Sequence, residues 1–270
     1  NSDRLPELLG EAKALVLADQ RILSDREADA IRRFVDDGGG LLAFAGSGVR
    51  DVDNNPLQDF ALADVFGVHS AGMTPFATSY LRIPADAGIV GVPGMDVQVV
   101  GPSVRVTTAG ARMLYEYVPP YEDLPGVAPY EDMPAGTPPP ALTADGPGVT
   151  VHQYGKGRVV YCAVDLCAGL FTEANPVLRR LIINLLDRVH PVSRRSIVVD
   201  NAPLNVEVFY NRRGNDRFVH LVNYGGDKRE TGTPQTQDLR PHSDIGIALA
   251  LAGPATVCGV PGETPVEAQY

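Results

Sequence analysis

The sequence predicts an α/β chain: an open parallel sheet with helices on both faces over residues 1–192, then a small antiparallel β domain over residues 193–270. Near the start, a strand, a capped helix and a second strand follow one another through short connections. A long amphipathic helix approaches residue 190, and beyond it the chain turns to short β-rich runs without helical periodicity.

Residues Ala12 to Ala18 form a continuous apolar run, suited to a strand that is covered on both faces as parallel strands are. Ser24 and Glu27 then have the spacing of a capping box, in which the serine caps the first turn and the glutamate reaches back to it. Ala28, Ile31, Phe34 and Val35 recur at helical spacing, and Gly38-Gly39-Gly40 ends the helix before a second buried run, Leu41 to Ala45. Such a βαβ unit makes its two strands parallel neighbours joined by a right-handed crossover.

Gln58 to Phe66 reads as a short helix closed by Gly67. Between His69 and Gly110, the strand-like runs Tyr80–Ile83, Val97–Val100 and Val104–Thr108 alternate with Gly and Pro turns. A tandem near-repeat follows, VPPYEDLPG from Val118 and VAPYEDMPA from Val127. Its prolines exclude helix and central strand, which leaves an extended surface loop. Val149–Tyr154 and Arg158–Val164 flank Gly155-Lys156-Gly157 as a hairpin. A helix from Thr172 or Glu173 to Val189 then places Val177, Leu178, Leu181, Ile182, Leu185 and Leu186 on one buried stripe. After Pro191 come the β-rich runs Ser196–Val199, Val206–Tyr210, Phe218–Asn223, Ile245–Leu251 and Ala255–Val260.

Composition narrows the function classes. With 33 acidic against 23 basic side chains the net charge is -10, which repels nucleic-acid backbones and anionic lipid surfaces. The apolar stretch Ile245–Val260 is broken by Gly253 and Pro254 and falls short of a bilayer span, so neither nucleic acid nor membrane is expected as a partner. Three cysteines cannot pair completely, which favours a reducing, cytoplasmic setting. Five scattered histidines lack metal-ligand spacing, and no glycine-rich loop opens a helix, so no metal and no cofactor are expected.

Four stretches together resemble a known family: AKALVLADQRILSDREADAIRRFVDDGGGLLAF from Ala12, DFALADVFGV from Asp59, YGKGRVVYCAVDL from Tyr154 and FVHLVNY from Phe218. They resemble the domain that follows the catalytic barrel in trimerising β-galactosidases and related glycoside hydrolases. The resemblance implies a flavodoxin-like fold shared with class I glutamine amidotransferases, without their chemistry and devoted to subunit association. It implies as partners either like subunits or a barrel that supplies the paired carboxylates of glycoside hydrolysis. Such a barrel alone needs about 250 residues, so this chain has no room for it beside two other domains.

Two alternatives to a non-catalytic association region remain. A carbohydrate-binding module would use Tyr121 and Tyr130 of the repeats, with Asp51, Asp53 and Asp165 as acidic groups near strand ends, where open α/β sheets bind ligands. A solvated loop pinned by two tyrosines is the plainer reading of the repeats, and the absence of tryptophan removes the usual sugar platform. A cysteine hydrolase would use Cys167, but a nucleophile elbow needs small flanking residues and Asp165 occupies one flank.

Overall fold

The computed structural model describes residues 4–87, 89, 92, 94–121, 138–173, 175–203, 206–223, 242, 244–253, 255–259 and 264–265. The chain divides into two compact units, Asn1–Pro191 and Val192–Tyr270. In chain order the first contains α1 (Leu5–Leu9), β1 (Ala14–Leu17), α2 (Asp25–Asp36), β2 (Gly40–Phe44), α3 (Ala63–Phe66), β3 (Val68–Met73) and β4 (Thr78–Ile83). It continues through β5 (Met95–Val100), β6 (Val104–Thr108), β7 (Arg112–Val118), β8 (Pro147–Tyr154), β9 (Gly157–Cys162), α4 (Leu166–Glu173) and α5 (Pro176–Val189).

A seven-stranded sheet in the order β1-β2-β9-β8-β7-β4-β5 is its backbone. The expected βαβ opening is present: Ala14–Leu17 runs parallel to Gly40–Ala43, and Leu41–Phe44 runs parallel to Val159–Cys162. Ser24 Oγ accepts from the Glu27 amide and the Glu27 carboxylate accepts from the Ser24 amide, so the capping box forms.

The open parallel sheet expected from the sequence holds for β1, β2 and β9 alone: β8 joins β9 through the expected Gly155-Lys156-Gly157 hairpin, and every pairing beyond β9 is antiparallel. Connection length explains the change. A parallel neighbour needs a crossover of a dozen or more residues, whereas β8 reaches β9 through Gly155-Lys156 alone. Gly155 has φ 52, a left-handed conformation that glycine adopts without penalty.

Helices do cover both faces at the parallel end. Leu41 and Ala43 of β2 join Val159, Tyr161 and Ala163 in a core with Ala28, Ile31 and Val35 of α2 and Val65 and Phe66 of α3. Their alternates Leu42, Phe44, Val160, Cys162 and Val164 pack with Leu178, Leu181, Leu185 and Val189 of α5. The strict alternation follows from the two-residue period of a strand.

Two helix boundaries differ from expectation. Gln58 to Leu62 is not helical, because the Asp59 carboxylate accepts from the Phe60 and Ser70 amides and meets His69 Nδ1 at 2.6 Å, while the Ala61 amide donates to Gly48 O. Only the turn Ala63–Phe66 remains, closed by Gly67 at φ 66. Near residue 172, two helices replace one: α4 ends at Glu173, and α5 starts afresh where Asn175 Oδ1 caps the Val177 amide ahead of Pro176.

The second unit is β-rich, and its described pairings are antiparallel. Its strands β10 (Ile197–Asp200) and β13 (Gly246–Leu249) pair with each other, as do β11 (Val206–Arg213) and β12 (Asp216–Asn223) and the short β14 (Cys258–Gly259) and β15 (Thr264–Pro265). Among its described residues only Val206 is buried.

Candidate functional site

Open α/β sheets place ligands beyond the carboxyl ends of their parallel strands. Here the ends of β1, β2 and β9 are followed by Asp19 and Arg21, by Ala45-Gly46-Ser47, and by Asp165 and Cys167. Asp19 and Ala45 both have positive φ, 51 and 43, unusual for residues other than glycine. Such strain marks a candidate site.

The hydrogen bonds show what each group does there. Asp19 Oδ1 accepts from the Gly46 amide at 2.8 Å while its Oδ2 takes Arg21 Nε at 2.8 Å, so this carboxylate ties the first strand end to the second. Buried Ser47 donates Oγ–H within reach of Phe44 O, at 2.7 Å, and Leu17 O, at 3.2 Å. Tyr161, fully buried against Phe60 and Phe66, donates its hydroxyl to Ala45 O at 2.7 Å. Asp165 Oδ1 accepts from the amides of Cys167 and Ala168 at 3.0 Å each, which caps α4.

Electrostatics point the same way. Burial pushes the Asp165 carboxyl above its ordinary range, with Asp19 adding to the rise, while the Ala168 and Cys167 amides and Arg21 pull against it. Burial, then the neighbouring Asp165, raises the Cys167 thiol to about 11. A cysteine nucleophile needs the thiolate, and both effects oppose it. His152, which a cysteine hydrolase would need near Cys167 to use as a base, instead pairs with Val159 near the opposite end of β9, with its Nδ1 2.9 Å from Val65 O. An elbow chemistry through Cys167 is therefore unsupported: Cys167 sits in the first turn of a helix that Asp165 caps.

The other residues singled out from the sequence are dispersed. Asp51 closes a local turn, accepting from the Asn55 side chain and from the Asn55 and Asp53 amides, and these bonds hold its carboxyl below the usual range. Asp53 is exposed in that turn. Half-buried Tyr121 donates its amide to Pro139 O, and Tyr130 lies outside the described residues. Among the described residues no group of three or more His, Cys, Asp or Glu side chains gathers to hold a metal, and no helix is long and apolar enough to cross a membrane. Sequence reasoning found Asp165 but missed Asp19 and Arg21, whose signal was their position just after the first apolar run.

With that geometry in place, comparison with known proteins gives the fold a context. No protein-family model matches the chain, and no curated protein sequence does. Among solved structures, α-L-fucosidase isoenzyme 2 from Paenibacillus thiaminolyticus superposes with a TM-score of 0.77 at 19% identity, over 96% of this chain and 37% of that one. Gan42B, a GH42 β-galactosidase, gives a TM-score of 0.56 at 17% identity, over 96% of this chain and 30% of that one. The β-galactosidase from Bacillus circulans sp. alkalophilus gives 0.56 at 19% identity, over 88% and 32%. The likeness is one of fold. This chain spans about a third of the length of each of these enzymes.

Proposed function

We propose that this chain is the non-catalytic, subunit-association region of a glycoside hydrolase with a β-galactosidase-like plan. In this reading its first 192 residues are a flavodoxin-like, amidotransferase-related domain of the trimerisation type, residues 193–270 are its companion β domain, and the reacting carboxylates belong to a separate barrel. The observation that carries it is the pattern of coverage: 96% of this chain aligns with only 37% of the fucosidase and 30% of Gan42B. The carboxyl edge of the parallel strands supports it, because Asp19, Ser47 and Asp165 are engaged in holding loops and a helix end. Exposed apolar side chains support association with like subunits or a barrel-bearing chain: Phe171 is 84% exposed, Leu142 is 85% exposed, and Phe209 and Phe218 lie on the β11–β12 hairpin. Three free thiols support a reducing, cytoplasmic setting.

Sedimentation over a concentration series, run beside a panel of aryl glycosides and a glycan array, tests this. Self-association, or a tight complex with a barrel-bearing chain, without glycoside turnover is the expected result. Turnover that survives purification and disappears on changing Asp51, Asp53 or Asp165 overturns it. So does a strict monomer that binds a glycan through Tyr121 and Tyr130.

A further inference from the structure

At the far end of β9 from Asp165, a cleft of about 450 Å³ is lined by Gly110, Arg112, Val151, His152, Gln153, Arg158 and Arg188. Strand register explains how the arginines converge. Arg112 of β7 pairs with Val151 of β8, and Gln153 of β8 pairs with Arg158 of β9. Residues directly opposite, and residues two apart, share a face of the sheet. That face is the one α5 covers, since Val160, two residues beyond Arg158, packs with Leu181 and Leu185. Arg188 enters from the last turn of α5.

These arginines differ from others in the same unit. Arg21, Arg32, Arg82 and Arg105 each hold a carboxylate at 2.6 to 3.0 Å. Arg112, Arg158 and Arg188 pair with none among the described residues, although the chain carries 33 acidic side chains. Arg158 Nη1 reaches only Arg188 O at 3.4 Å, and Arg188 Nε reaches Asn184 Oδ1 at 3.4 Å. The C-terminal carbonyls of α5 soften the mutual repulsion without neutralising it. His152 adds a polar wall. Because Val65 O can only accept, His152 Nδ1 carries a hydrogen.

We propose that this cleft is a binding site for a small multivalent oxyanion, a phosphate or sulfate group, either free or carried as an ester on a sugar. Guanidinium groups match such oxygens two at a time, which ammonium groups do not. The volume falls in the range of small-molecule sites and is large enough for one sugar ring with its charged substituent. All its lining residues lie in the first unit, and the reading of the chain as an association region does not rest on them, so a failure here leaves that reading untouched.

Isothermal titration of the whole chain with inorganic phosphate, inorganic sulfate and glucose 6-phosphate, at an ionic strength held constant with chloride, tests the proposal. Saturable binding is expected, weakened about tenfold by each of Arg112→Gln, Arg158→Gln and Arg188→Gln. Arg26→Gln, on the exposed side of α2, should leave it unchanged. Tighter binding of glucose 6-phosphate than of inorganic phosphate identifies the ester as the source, and the reverse order identifies the free ion. Heats no different from chloride, or binding that all three variants retain, overturn the site.

Discussion

The two ends of β9 carry opposite charge and opposite bookkeeping of hydrogen bonds. At its carboxyl end, Asp19 and Asp165 each accept backbone amides, and Asp19 also holds Arg21. At its amino end, Arg112, Arg158 and Arg188 face a cleft with no carboxylate among them. Fold analogy directs attention to the first place, since ligands in open α/β sheets bind at carboxyl ends. Physical chemistry directs it to the second. A polar group whose capacity is spent on the protein's own backbone has little left for a ligand, whereas a guanidinium with no carboxylate partner and at most one long hydrogen bond keeps most of it.

The contrast breaks most visibly if Cys167 is reactive. With its thiol at about 11, Cys167 should alkylate about a hundredfold more slowly at pH 7 than an ordinary cysteine, because only the thiolate attacks. Cys258, which is exposed, should take up iodoacetamide first, as read by peptide mass spectrometry. Fast modification of Cys167 in the native chain would restore a nucleophile to the carboxyl end.

Removing a hydroxyl tests the claim that this end is structurally committed. Tyr161→Phe keeps the ring against Phe60 and Phe66 but leaves Ala45 O without its donor. A loss of about 2 kcal/mol is expected in urea unfolding, from a buried carbonyl left unsatisfied. A smaller effect separates the roles of Asp165. Asp165→Ala removes the α4 cap and should cost about 1 kcal/mol. Asp165→Asn keeps an accepting oxygen and removes the charge. Because the folded state raises this carboxyl, it binds a proton more tightly than the unfolded chain does. Its contribution to stability is therefore best below the ordinary 3.8 and declines as pH rises through the raised value. The asparagine variant should lack that decline and match or exceed the parent at pH 7.

Local signals made the opening legible. The capping box at Ser24, the apolar spacing of α2 and the short connections fixed β1, α2 and β2, and a right-handed crossover left little choice of pairing. What the sequence concealed was non-local. That β9 is the next neighbour of β2 depends on a chain segment far downstream, so the hairpin at Gly155-Lys156, legible in itself, did not show that it joins the parallel strands to an antiparallel extension. Asp59 shows how tertiary partners override periodicity, since its bonds to His69 and Ser70 prevent the helix its neighbours suggest. Asp165 was visible as an acidic residue after an apolar run. Its association with Asp19 and Arg21 was not, because parallel register alone brings the loops after β1 and β9 together. The arginines were harder still, arriving from β7, β9 and α5.

The smallest effect sharpens the comparison most, because it is a difference between the same substitution made at two sites. Arg82 holds Asp96 through Nε at 2.8 Å and Nη2 at 2.9 Å, and also reaches Ala141 O, so its charge is part of the folded structure. Arg158 is exposed and makes one long bond to the end of α5. If the basic cleft is kept for a ligand and does not serve folding, Arg158→Gln should change unfolding stability by no more than about 0.5 kcal/mol, the usual range for a surface change away from special contacts. Arg82→Gln should cost more, about 1 kcal/mol, since a bidentate pair on a half-covered strand is lost. Any stabilisation of Arg158→Gln in low salt is expected to come from relief of like charge and to vanish on screening at 1 M salt. Parallel urea titrations of both variants at two salt concentrations decide the matter. If Arg158→Gln costs as much as Arg82→Gln, the arginines at the amino end of β9 are structural, and the distinction between the two ends of the strand disappears.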